Sequence, residues 1–171
     1  MQVVSYKEEK MATDYVTTFV QEQEEKSPIL HFALPGALPE GYILALNTTL
    51  GILSYLHASD HEARMMMQQQ FTFSELSVLR PLLESFPYYC PYEDLFASFY
   101  NGTVTNAVVL RCRQRLQRAL NDGTWEQEMR PVRNVLSRTR LKLRTFGFNI
   151  SSILETGYIL MVAPPRTVPT K

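Results

Sequence analysis

The fold turns on residues 134–160, Asn134-Val135-Leu136-Ser137-Arg138-Thr139-Arg140-Leu141-Lys142-Leu143-Arg144-Thr145-Phe146-Gly147-Phe148-Asn149-Ile150-Ser151-Ser152-Ile153-Leu154-Glu155-Thr156-Gly157-Tyr158-Ile159-Leu160. The first half has a helical period. Val132, Val135 or Leu136, Thr139 and Leu143 repeat at core spacing on a helix that Pro131 opens and that runs to about Thr145, with Gly147 as its natural C′ residue. On a helix spanning 132–145, Arg133, Ser137, Arg140 and Arg144 share an exposed face, flanked by Asn134, Arg138 and Lys142. After Gly147 the pattern changes. Phe148-Asn149-Ile150, Ile153-Leu154-Glu155 and residues 157–162 read as a closing two-stranded β-hairpin.

Upstream, Asn106 to Leu120 reads as a helix with Val109, Leu110, Leu116 and Leu120 set among Arg111, Arg113, Arg115 and Arg118, and Asn121-Asp122-Gly123 stops it. A helix over 74–86 has Ser74 as its N-cap, Leu76, Leu79, Leu82 and Leu83 on one face, and Pro81 as a discordant residue. Pro91 stands at the first position of the next helix, which buries Leu95, Phe96 and Phe99 and ends at Asn101-Gly102. Residues 29–56 hold three short apolar runs separated by turns, an antiparallel meander, with a fourth strand expected near Met65 to Phe71. Residues 5–26 read as an amphipathic helix, with Met11, Tyr15, Val16, Phe19 and Val20 on its apolar side and Ser27-Pro28 ending it. It either packs on its own core or serves as a dimerisation arm. The tail at 163–171, with three prolines, reads as loose.

Composition is that of an ordinary globular chain: 171 residues, 45% hydrophobic and 20% charged, with no apolar run of membrane-spanning length. Two cysteines form no framework, and the first residues lack a signal-peptide layout, so a cytoplasmic location is expected and the sequons at Asn47, Asn101 and Asn149 count as chance matches. The zero net charge conceals a gradient. Residues 1–70 carry 4 basic and 9 acidic side chains, residues 71–102 carry 1 and 4, and residues 103–171 carry 12 and 4. An Arg-rich C-terminal portion favours a polyanionic partner, although acidic and basic halves can also pair with each other.

The spacings within these elements resemble the DNA-binding domain of OmpR/PhoB-type response regulators. That family's opening pattern, an apolar residue followed by Thr-x-x-Glu-x-x-x-Leu, is matched by Phe71-Thr72-Phe73-Ser74-Glu75-Leu76-Ser77-Val78-Leu79, nearly in register. Leu82-Leu83 and Pro87 follow its Leu-Leu pair and proline-containing turn, and Pro91-Tyr92-Glu93 and Tyr100-Asn101-Gly102 follow the start and end of its second helix. Residues 136–143 follow its recognition helix, and Ile150 to Leu160 follow its wing. The resemblance covers about 29–102 and 131–161. It implies an α+β winged helix-turn-helix preceded by an antiparallel β-meander, here with an extra N-terminal helix over 1–28, a helical insert at 103–130 and a C-terminal hairpin wing. A receiver domain would need over a hundred further residues and is not expected here. The family's wing Arg-Gly pair is replaced by Leu154-Glu155, which removes a minor-groove contact and places a carboxylate near phosphate.

The implied function is sequence-specific binding of double-stranded DNA by a stand-alone, dimeric transcription regulator. A helix in the major groove reads bases from near its N-terminus. Arg133, Asn134 and Ser137 are therefore expected at base edges, and Arg138, Arg140, Lys142 and Arg144 mostly on phosphates. Arg111, Arg115 and Arg118 are candidates for additional contacts, and Trp125 is expected to anchor the insert. The competing expectation is an adaptor that keeps the scaffold but binds RNA polymerase or another regulatory protein; Glu155 and the acidic first hundred residues favour it. A small-ligand sensor built on the 29–70 sheet has no motif behind it. His57, Asp60, His61 and Glu62 lack the further ligands of a metal centre and read as a solvated loop. With no nucleophile elbow, P-loop or dinucleotide fingerprint, neither catalysis nor a cofactor is expected.

Overall fold

The structure, a computed structural model, describes residues 29–59 and 62–163. The helix expected over 5–26 and the tail from residue 164 lie outside the described residues, as do Asp60 and His61. Four strands, β1 (Ile29–Phe32), β2 (Tyr42–Asn47), β3 (Ile52–Ala58) and β4 (Ala63–Gln70), pair antiparallel in chain order. The fourth strand starts two residues earlier than its apolar run. Tyr55 pairs with Met67 and Leu56 with Met65, so Met66 is the extra residue of a β-bulge. Leu30, Phe32, Leu44, Leu46, Leu53 and Tyr55 line the face that packs into the molecule.

Helix α1 (Phe73–Glu84) follows at once. Its N-cap is Thr72, not Ser74, because Thr72 and Glu75 close a capping box: Glu75 N–H donates to Thr72 Oγ1 at 3.3 Å and Thr72 N–H donates to Glu75 Oε2 at 2.8 Å. The helix closes at Ser85, before Pro87, and carries the buried Pro81 within it. A strand that the sequence reading passed over, β5 (Tyr89–Pro91), leads into α2 (Tyr92–Asn101). Pro91 is the N-cap of α2 and not its first helical residue; Gly102, at φ 68°, closes it. Helix α3 (Asn106–Asn121) stands close to its expected bounds.

Helix α4 (Trp125–Leu143) differs most from expectation. It begins six residues before Pro131 and passes through it, and it ends in a short 3₁₀ turn over Arg144–Phe146 before Gly147. Met129, Val132, Val135, Leu136, Thr139 and Leu143 are all buried, a stripe that continues one turn upstream of the proline. Burial of that stripe outweighs the missing proline N–H.

The chain closes with β6 (Phe148–Ile153) and β7 (Gly157–Val162). These are not an isolated hairpin. They join β5 in a three-stranded sheet of order β5-β7-β6. The described residues therefore form an α+β fold, with a four-stranded antiparallel sheet, four α-helices and a second small sheet. One cluster of buried side chains runs from Leu44, Leu46 and Leu53 of the large sheet through the helices to Phe148, Ile150 and Leu160 of the small one.

Candidate nucleic-acid interface

Helix α4 buries one stripe and presents the other to solvent. Arg130, Asn134, Ser137, Arg138, Leu141 and Arg144 are exposed and recur at steps of three and four, so they form its outward face. Arg133 and Arg140 lie on the flank towards the hairpin and are half-buried; Lys142 is half-buried on the side of α1. The centre of the exposed face is thus Asn134, Ser137 and Arg138, with Arg130 added. Arg130 escaped the sequence reading because the helix was opened at Pro131; its four-residue spacing from Asn134 and Arg138 was the available signal.

Two of the half-buried cations hold the helix in place. Arg140 Nε donates to the Ile150 carbonyl at 2.7 Å, which ties α4 to β6. Arg133 pairs with Glu126 of the same helix and lines the groove beside Tyr158. Partial burial opposes the Arg133 charge, but Glu126 and Tyr158 outweigh it and its pKa is raised. Lys142 Nζ donates to Glu75 Oε2 at 2.7 Å and to the Gln70 carbonyl at 2.9 Å, and stands 5.3 Å from the Phe71 ring centroid. Burial works against the Glu75 carboxylate, yet Lys142 and the Thr72 amide hold its pKa below the usual value. Ser137 Oγ donates back to the Arg133 carbonyl at 2.9 Å.

By contrast, Asn134, Arg138 and Arg144 have no side-chain hydrogen bond or ion pair among the described residues. The same division runs through α3. Arg113 pairs with Glu93 of α2, and Arg115 pairs with Glu128 of α4 at 2.7 Å while its guanidinium lies over Phe96 and Tyr100. Arg111 and Arg118 are exposed and unpaired within the described residues. The acidic partners of the basic region thus come, as far as the described residues go, from the helices around it and not from residues 29–70.

Between α4 and the hairpin lies an open groove of about 360 Å³, lined by Arg133, Ser137 and Arg140 on one side and Ser152, Leu154 and Tyr158 on the other. Two guanidinium groups and three hydroxyls make it a surface suited to an anionic oxygen. Beneath it, the Tyr158 ring meets Tyr92 edge-on at 5.5 Å, and Tyr92 meets Trp125 at 5.3 Å. Trp125 is partly buried against the core. Gly157 starts β7 because a Cβ there would stand 2.2 Å from the Cys90 carbonyl oxygen of β5. At the hairpin tip Leu154 is 84% exposed, and Glu155 adopts a left-handed φ of 61°.

The His57 ring meets Tyr42 in a tilted arrangement, with centroids 4.5 Å apart. Among the described residues no group of three or more His, Cys, Asp or Glu side chains is placed to hold a metal ion, and no helix is long and apolar enough to cross a membrane. No protein-family model matches the chain, and comparison with curated proteins and with solved structures finds no match.

Proposed function

We propose that this chain is a winged-helix protein that binds double-stranded DNA and regulates transcription, with α4 as the recognition helix and the β6–β7 hairpin as the wing. One observation carries the reading. Asn134, Arg138 and Arg144 project from the outward face of α4 without partners among the described residues, while Arg140 and Lys142 at its flanks hold the helix against the hairpin and α1 and Arg133 is paired with Glu126 of the helix itself. A framework of this kind presents a preorganised set of donors to a phosphate backbone and to base edges. The element order α1-β5-α2-α3-α4-β6-β7, with sheet order β5-β7-β6, supports it further; α3 takes the place of an insert before the recognition helix.

In this reading Asn134 and Ser137 face bases, Arg130, Arg138 and Arg144 face phosphates, and Arg133 and Arg140 position the groove beside the wing. Arg111 and Arg118 are the α3 residues left to extend the contact, Arg115 being committed to Glu128 and two rings. The test is a salt titration of the full chain on random duplex DNA. Log affinity falls linearly with log salt, and Arg138→Ala and Arg144→Ala each lower the slope by about one. Arg80→Ala, which removes only an exposed pair with Glu84 on α1, leaves the slope unchanged. Absence of binding at low salt overturns the reading.

A second reading has its own observation. Leu141 on the outward face of α4 is 62% exposed, Leu154 at the hairpin tip is 84% exposed, and Glu155 follows Leu154 in the chain. Apolar anchors next to a carboxylate suit a protein partner, RNA polymerase or another regulatory protein. Leu154→Ser separates the two: it weakens capture of polymerase in the second reading and leaves the DNA salt slope intact in the first.

A further inference from the structure

The four-stranded sheet has two unlike edges. Strand β1 is four residues long, whereas β4 is eight residues long and exposed at every position but Gln69. Its sequence, Ala63-Arg64-Met65-Met66-Met67-Gln68-Gln69-Gln70, carries a single charge at Arg64 and neither Lys nor Pro. Among the described residues no strand pairs with its outer side. Long edge strands are ordinarily blunted by charge, proline or a covering element, because their free N–H and C=O groups template another strand.

The ladder fixes which groups those are. The Ser59 N–H donates to the Glu62 carbonyl at 3.0 Å and the Phe71 N–H to the Gly51 carbonyl at 2.7 Å, which continue the β3–β4 register at its two ends. An antiparallel strand turns alternate residues towards each neighbour. Arg64, Met67 and Gln69 therefore bond β3, and the main chain of Ala63, Met65, Gln68 and Gln70 points out of the sheet edge. The Lys142 ammonium, 2.9 Å from the Gln70 carbonyl, sits on that outward side; a carbonyl accepts two bonds, so one place on it stays open.

The bulge at Met66 makes this outward set symmetric. Without the extra residue Ala63 and Gln70 would point in opposite directions; with it, the set reads the same from either end of the strand. A second β4 laid antiparallel about the Met66–Met67 bond sets Ala63 against Gln70 and Met65 against Gln68, outward groups against outward groups, for about eight main-chain hydrogen bonds. Side chains keep their faces: Met65 and Gln68 stand opposite Leu56 and Ser54 on one side of the sheet, Arg64 and Gln69 opposite His57 and Leu53 on the other. The two Arg64 charges then lie about 17 Å apart along the strands, whereas a parallel pair in register would oppose them directly.

We propose that β4 is a self-association edge: two copies of the chain pair β4 to β4, antiparallel about a two-fold axis through Met66–Met67, and join their four-stranded sheets into one. The proposal does not rest on DNA binding and is tested without DNA. Sedimentation velocity of the full chain across the micromolar range shows a concentration-dependent dimer. Gln68→Pro removes an outward N–H and spares the bonds to β3, a position where an edge strand accepts proline. It deletes two bonds per dimer and weakens association by about tenfold or more. Met66→Lys leaves the main chain intact, places two ammonium groups beside the axis and acts in the same direction. Circular dichroism reports whether each variant keeps its fold; should Gln68→Pro disturb it, Met66→Lys and a cross-link decide. The cross-link fixes the register. In a chain with both Met65→Cys and Gln68→Cys, opposed Cα atoms of two copies lie ~5.5 Å apart, within disulfide reach, while residues 65 and 68 of one strand are about 10 Å apart. Mild oxidation therefore joins the double variant at dimer mass and leaves each single variant unlinked, the buried Cys90 and Cys112 giving a slow background. A chain that stays monomeric, a dimer indifferent to Gln68→Pro and Met66→Lys, or single variants that link as readily as the double overturns the proposal.

Discussion

Glu75 is 2% exposed and lies where three elements converge, its carboxylate receiving the Thr72 amide of the α1 cap and the Lys142 ammonium of α4. Its pKa in the folded protein lies below the ordinary value, so the sign is fixed. The contribution is complete above the unfolded pKa near 4.5 and is lost as pH falls through the lower folded value. Glu75→Gln therefore costs about 2 kcal/mol at neutral pH and removes part of the acid sensitivity, both read from urea midpoints between pH 3 and 7. Glu155 offers the opposite case. Its left-handed φ of 61° is a conformation that glycine adopts without strain, and Glu155→Gly stabilises the chain by about 1 kcal/mol in thermal unfolding. The Thr72-x-x-Glu75 spacing was readable in the sequence as part of a family pattern. Its physical content, a capping box two residues ahead of the assumed cap, was not, because Ser74 is an equally good N-cap by residue type. The commitment of Lys142 to Glu75 was invisible for a different reason: the two are 67 residues apart in the chain.

At the scale of the element, α4 shows how a tertiary contact overrides a local breaker. Trp125, Met129 and Val132 continue the stripe of Leu136 and Leu143 at helical spacing, yet Pro131 suggested a start, since proline is favoured at the first position and disfavoured in the interior. The stripe wins because Met129 is fully buried and Trp125 meets Tyr92. Pro131 is exposed, so Pro131→Ala leaves packing intact and stabilises the fold by ~1–2 kcal/mol, the helix gain less the extra freedom of the unfolded chain, measurable in urea. Strand β5 was missed because three residues, one of them proline, carry no periodicity. The trace it left in the sequence is Gly157, which faces β5 too closely for a side chain. Gly157→Ala forces β5 and β7 apart and costs ~1–3 kcal/mol or more, with loss of amide protection at Tyr158 as the local signature.

Across the whole molecule, the order of elements from residue 29 to 162 was legible apart from β5, since alternation and helical spacing each persist over several turns or strands. The pairing of charges was not. The imbalance between the ends of the chain looked like two halves that either attract each other or face different partners. The structure instead meets much of the basic surplus locally, through Glu75, Glu93, Glu126 and Glu128, and leaves Arg111, Arg118, Arg130, Arg138 and Arg144 without such a pair among the described residues. Both cysteines lie inside the continuous core. Burial pushes the Cys90 thiol up to about 12, with Asp94 and Glu93 adding to the shift, so at pH 8 neither thiol reacts with a disulfide reagent until the protein unfolds. Labelling should then follow the global unfolding curve in urea, and a fast phase in water would show that the core opens locally.

The junction at Lys142 also bears on how such a chain can change over generations. Gln70 ends the sheet, Phe71 precedes the cap of the first helix, Glu75 lies in that helix's first turn, and all three meet one ammonium group on the fourth. Substitutions in 70–75 and at 142 are consequently epistatic: a loss on one side alters which residues are acceptable on the other. The outward positions 134, 138 and 144 carry no such debt, so the surface that meets a partner can diversify one residue at a time while the corner that carries it is inherited as a block.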